Sequence, residues 1–238
     1  MLSNLFIFST IASSLLFAFF VWLIAHYTLT RQSNPDRERV STIIALTLLC
    51  WFSAVLLLAK AGIFLANPLF APGIVFGFLL LFELLRRAFF SQTIRKIASD
   101  APMVFLITVQ TYRIVGVGFL ALYTQNLLPA AFAIPSGWGD IIIGATAPTV
   151  AAIYYLGKPY ARRLATIWNY LGIADLIMAI GVGILAFSKP VQLLQTTPST
   201  ELLALFPMAT VPLFAVPLAF FLHLLCLRIL KVEAKFKS

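Results

Sequence analysis

Residues 5–63 read LFIFSTIASSLLFAFFVWLIAHY, then TLTRQSNPDRER, then VSTIIALTLLCWFSAVLLLAKAGI. Two apolar runs flank a short gap that holds Arg31, Arg37 and Arg39. A bilayer core of about 30 Å takes roughly 20 helical residues, and each run has that length. The same pattern continues to the C-terminus and predicts seven spans, at about 5–27, 40–63, 70–90, 103–124, 130–156, 164–187 and 206–230. The gap after the third span carries Arg86, Arg87, Arg95 and Lys96. The gap after the fifth carries Lys158, Arg162 and Arg163, and the C-terminal tail carries Arg228, Lys231, Lys235 and Lys237. The alternate gaps hold only Lys60 and Lys189. Basic flanks stay cytoplasmic, so the N-terminus is expected outside and the C-terminus in the cytoplasm. A missed or invented helix would invert this alternation from that point on, so it also supports the count of seven.

Composition agrees with an all-α polytopic membrane protein. Of 238 residues 61% are hydrophobic and 11% charged, with a mean hydropathy of +0.99. That is too little charge to cover a soluble domain. The expectation is one transmembrane domain over 1–238, multi-pass in the inner (cytoplasmic) membrane of a cell, with no soluble domain. The first run lacks a basic leader and ends in Ala25-His26-Tyr27 rather than a small-x-small cleavage site, so it is expected to be retained. Cys50 and Cys226 lie inside apolar runs and read as small buried side chains. The net charge of +9 reads as a cytoplasmic collar facing anionic lipid head groups. Nucleic-acid binding would need a continuous basic surface on a soluble element, and the chain offers none. A homo-oligomer or a partner membrane subunit is compatible with this pattern.

Two connectors have character. FFSQTIRKIA at 89–98 sets Phe90, Ile94 and Ile97 at helical spacing opposite Arg95 and Lys96, as in an interfacial helix. The connector from Lys189 to Phe206 is long enough to cover the outer mouth of the bundle.

Ionisable residues inside apolar spans cost about 2.5–3.5 kcal/mol each at mid-helix, so each should face the bundle interior with a partner. Arg113 lies midway along the fourth span, with Gln110 one turn before it on the same face. Asp140 lies in the fifth span and Asp175 in the sixth, where Asn169 also falls. His223 and Glu83 sit in the inner halves of the seventh and third. One cation facing two carboxylates leaves one negative charge over, suited to carrying a proton or holding a cation. One cation facing a single carboxylate is a neutral lock between helices. Gly137-x-x-Asp140-x-x-x-Gly144 and Gly172-x-x-Asp175-x-x-x-Ala179 place small residues on each acid's own face, where a neighbouring backbone can come close. Pro135, Gly137 and Gly139 predict a broken helix before Asp140, and Pro207, Pro212 and Pro217 predict another in the seventh span. Together they point to an outward-facing cavity that ends at the charged cluster.

No metal-ligand spacing, phosphate-cradling glycine loop or nucleophile elbow is present, and no catalytic residues or cofactor are expected. Haem between His26 and His223, whose depths match, is the single cofactor arrangement the histidines allow.

QTYRIVG at 110–116, Leu128-Pro129, Asp140 with IIIGATAP at 141–148, RRLATIWNYLG at 162–172 and FP…VPLFAVPLAFFLHLLCLRIL at 206–230 resemble an uncharacterised family of small bacterial integral membrane proteins. The resemblance covers roughly residues 110–230. It implies a membrane fold, no particular activity, and Asp140 as the partner of Arg113. The leading functional expectation is a small-solute or proton-coupled permease or binding protein with its site at Arg113, Asp140, Asp175, Gln110 and Asn169. A non-catalytic accessory or sensor subunit is the second. A membrane redox or lipid-modifying enzyme using His223 with Glu83 is the third.

Overall fold

The structure, a computed structural model, describes every residue except 1, 67–78, 81, 84, 85, 88, 89, 91, 189–191 and 236–238. The described residues are helical, with no strand among them. Helix α1 runs Asn4–Arg31 and α2 Arg37–Lys60. A single turn, α3, covers Ile63–Ala66, and α4 covers Gln92–Asp100. Helix α5 spans Met103–Thr124, α6 Ala130–Tyr155 and α7 Ala161–Leu185. A π-helical turn at Val211–Ala215 leads without a break into α8, Val216–Lys235.

Among the described residues five helical segments are long and apolar enough to cross a membrane: Asn4–Arg31, Arg37–Lys60, Met103–Thr124, Ala161–Leu185 and Val211–Val232. Helix α6, with 26 residues, has the length but is diluted by Pro135, Ser136, Gly137, Gly139 and Asp140. The expected span 70–90 lies largely outside the described residues, as do Lys189 and Pro190 of the connector after α7.

The basic connectors gather at one end. Gln32, after α1, donates to the Asp100 carboxylate at 2.7 Å, and Arg162, opening α7, donates to the Leu230 carbonyl at 2.9 Å. Ile97 of α4 is buried while Arg95 and Lys96 are exposed, the amphipathic division its spacing predicts. At the opposite end the connector after α7 folds back over that helix. Thr200 Oγ1 donates to Gly183 O at 2.6 Å, Leu194 N to Leu185 O at 2.7 Å and Thr200 N to Ala186 O at 3.2 Å. These bonds satisfy the last carbonyls of a helix, which have no partners within it.

The core is built on α8 and the turn before it. Phe214 is fully buried and meets Trp51 and Phe52 of α2 edge-on, with ring centroids 5.0 and 5.4 Å away. Pro217 has no N–H and so leaves the Leu213 carbonyl, one turn back, without its helical partner. The Trp51 indole N–H takes that carbonyl at 2.9 Å.

Two expectations about breaks meet different fates. The π-helical turn falls among the prolines of the last span. The segment 134–140, however, is regular helix, with Pro135 and Pro148 both inside α6. The glycines there serve close packing: a Cβ on Gly137 would lie 2.8 Å from a Leu120 methyl and 3.1 Å from Gly116 O. The irregular backbone lies instead in α5, where Val109–Gly116 is 3₁₀-helical.

Candidate functional site

Arg113 sits in that 3₁₀ stretch and is the largest fully buried side chain among the described residues, 1% exposed. Both predicted carboxylates reach it. Its Nε donates to Asp140 Oδ1 at 2.7 Å, and its Nη2 forms an ion pair with Asp175 Oδ2. Its Nη1 faces Gly172 O at 3.4 Å and His223 Nε2 at 3.3 Å. One guanidinium therefore ties α5 to α6, α7 and α8, with four of its five N–H groups directed at protein acceptors.

Asn169 lies behind His223. Its Nδ2 donates to Ala165 O at 2.8 Å, which turns its Oδ1 towards His223 Nδ1 at 2.8 Å. An amide oxygen only accepts, so Nδ1 carries the hydrogen and Nε2 presents a lone pair to Arg113. Glycines make room for these groups. A Cβ on Gly139 would overlap the Asp175 carboxyl, and one on Gly172 would overlap the His223 ring. On Gly144 it would come within 2.7 Å of Ile114 N. The local pattern read around the two acids is thus the packing that lets the helices close on the arginine.

Of the predicted site residues, Arg113, Asp140, Asp175 and Asn169 form one network, and His223, expected as an inner-side residue, belongs to it. Gln110 is 1% exposed and adjoins the network without joining it. Its Nε2 donates to Ala219 O at 3.3 Å, and its Oε1 has no partner among the described residues. Glu83 lies elsewhere, holding Arg86 at 2.6 and 2.7 Å and Arg87 at 2.7 Å. Glu83 and His223 are therefore not brought together as an acid/base pair. His26 is also apart, with its Nδ1 3.0 Å from Ser41 Oγ and its ring stacked on Trp22. No group of three or more His, Cys, Asp or Glu that could hold a metal occurs among the described residues.

Two cavities meet the cluster. One of about 330 Å³ has Arg113 and Asp140 on its wall with Tyr112, and the other side is α1, through Ser9, Thr10 and Ser13. A smaller one, about 80 Å³, runs from Asp140 to Thr200 and Leu203 in the connector that folds back over α7. Asp140 lines both, and its side chain is 19% exposed against 1% for Arg113. The polar wall on α1 was missed in the sequence. Its signal was a set of hydroxyls at 9, 10, 13 and 14, spaced to share one helix face.

A family model described as a domain of unknown function, DUF8737, matches residues 69–231. The chain belongs to that family. It is uncharacterised, as the resemblance implied, and the match begins well ahead of Gln110. The matched segment contains Arg113, Asp140, Asn169, Asp175 and His223, so the whole charged network lies within the family domain. Helix α1, with its hydroxyl wall, lies outside it. No curated protein and no solved structure matches the chain.

Proposed function

We propose that this protein is a seven-helix, multi-pass protein of a bacterial inner membrane, with its N-terminus outside and its C-terminus in the cytoplasm. In this reading it is a proton-coupled permease or binding protein for a small solute, with its site at Asp140 and Asp175. The observation that carries it is that two carboxylates share one arginine while one of them, Asp140, lines two cavities. Two carboxylates against one cation leave a negative charge over at the cavity wall, a place to hold a proton or a cation. Arg113 is the fixed countercharge, since its donors are taken up by protein. Phe6 and Ser9, near the start of α1, line the larger cavity, and Thr200 and Leu203 the smaller. With the N-terminus outside, both open towards the outer face.

The test is reconstitution in liposomes with an imposed proton gradient and a trapped pH dye, against a panel of small solutes. Wild type should acidify or alkalinise the lumen with one solute class, and Asp140→Asn and Asp175→Asn should abolish that signal. Rates equal to wild type in both variants would refute the site. A fluorescent-protein fusion at the C-terminus, emitting only when cytoplasmic, checks the orientation.

The saturation of Arg113 also favours a second reading, an accessory or sensor subunit in which the cluster is a structural lock and the basic end docks a partner. That reading requires a partner membrane subunit to co-purify, and Asp140→Asn to lower thermal stability with no effect on proton movement.

A further inference from the structure

We propose that the larger cavity binds a small organic cation that carries N–H donors, a protonated amine. This deepens the reading above and rests on it for the site, though not for transport. The argument comes from what the walls can offer. Ser9 Oγ and Thr10 Oγ1 each donate to Phe6 O at 2.9 Å. Ser13 and Ser14 donate to Thr10 O at 3.1 and 3.0 Å. Tyr112 donates to Ala215 O at 3.4 Å. A carbonyl oxygen can only accept, so in every one of these contacts the hydroxyl hydrogen is spent on the protein's own backbone. What remains for the cavity is oxygen lone pairs.

Asp140 adds a carboxylate, which also only accepts, and the Arg113 donors point at Asp140, Asp175, Gly172 and His223. The polar lining is thus acceptor-rich and carries the surplus negative charge of the cluster. An anion would find neither a free cation nor a set of donors. A neutral acceptor such as an ether or ketone would find no donor to meet it. A protonated amine supplies positive charge and N–H groups together, and Phe6, Tyr112 and Phe119 on the wall give its apolar body a surface to lie against. At about 330 Å³ the cavity is at the small end of ligand sites, which excludes bulky substrates.

The probes are four molecules on one cyclohexane ring: cyclohexylammonium, cyclohexyltrimethylammonium, cyclohexanol and cyclohexanecarboxylate. Each is titrated into the protein in nanodiscs of uncharged lipid, with binding read by calorimetry. Cyclohexylammonium should bind at least tenfold more tightly than the alcohol and the quaternary ion, and the carboxylate should not bind. Asp140→Asn should weaken the amine at least tenfold. Because that variant also removes a partner of Arg113 and so puts folding at risk, Ser9→Ala and Ser13→Ala are the second arm. Their hydroxyls bond only their own helix, and each should weaken the amine severalfold while melting like wild type.

Preference for the carboxylate, equal binding of amine and alcohol, or unchanged amine binding in both serine variants would overturn the proposal. Binding of the amine without solute-coupled proton movement in liposomes would leave this inference standing and remove the transport reading. Proton movement with solutes other than amines, and no amine binding, would do the reverse.

Discussion

Gly144→Ala is the sharpest test of how the charged network is held. The added Cβ would sit 2.7 Å from Ile114 N and 3.1 Å from Arg113 C, both backbone atoms that no rotamer change can move. Ordinary contact begins near 3.4 Å, so α6 and the 3₁₀ segment of α5 must separate by about 0.7 Å. The Arg113–Asp140 bond crosses the same interface at 2.7 Å, and an equal displacement stretches it to about 3.4 Å, beyond the range of a charge-assisted hydrogen bond. Overpacking of this kind costs about 1–3 kcal/mol. The intrinsic preference of a helix for Ala over Gly works in the opposite direction, by up to about 1 kcal/mol.

Gly181→Ala, in α7, isolates that second effect because its Cβ meets nothing within 4 Å. The two substitutions are chemically identical and should have opposite signs. Thermal unfolding in mild detergent should show Gly144→Ala several degrees below wild type and Gly181→Ala at or above it. If Gly144→Ala matches Gly181→Ala, the helices are not in the close contact described, and the geometry around Arg113 is wrong.

Arg113→Leu should destabilise the protein by about 3–5 kcal/mol, because it strands two buried carboxylates. Adding Asp140→Asn and Asp175→Asn should recover part of the loss, and a triple variant less stable than the single one would contradict the pairing. Trp51→Phe keeps most of the packing on Phe214 but leaves the Leu213 carbonyl buried and unpaired, so it should cost about 1–3 kcal/mol in the same melting assay. Thr200→Val removes the bond to Gly183 O at the end of α7 and should cost about 1 kcal/mol. It should also speed proteolysis of the connector between α7 and the π-helical turn.

Helices of span length were legible because long runs of Leu, Ile and Phe have one economical conformation in apolar surroundings. Arg113 and the two acids were legible as costly residues that need partners. Which acid meets the arginine was not, because spacing gives the face of a helix and not its rotation in the bundle. The resemblance implied Asp140 alone, and the structure adds Asp175 and His223. The glycines misled in one respect. In 134–140 they read as weak points of a helix, yet they are where neighbours come close and the helix stays regular. The 3₁₀ stretch at Val109–Gly116 has no sequence cue of its own. It lies where Gly144 presses on the backbone of Ile114, a contact between segments that no local pattern reports.

The spread of the Arg113 partners along the chain bears on how the protein is made. Asp140 follows it by 27 residues, Asp175 by 62 and His223 by 110. At about 5–20 residues per second, the last partner leaves the ribosome roughly 5–20 s after the arginine. An unpaired arginine is a poor candidate for release into lipid for that time. On the membrane reading proposed above, helices α5 and α6, joined by the short turn before Pro129, would enter as one hairpin with the first ion pair already closed. In the order of synthesis, then, Asp140 is the first partner the arginine meets, and on the membrane reading proposed above it is the arginine's escort before Asp175 and His223 are made.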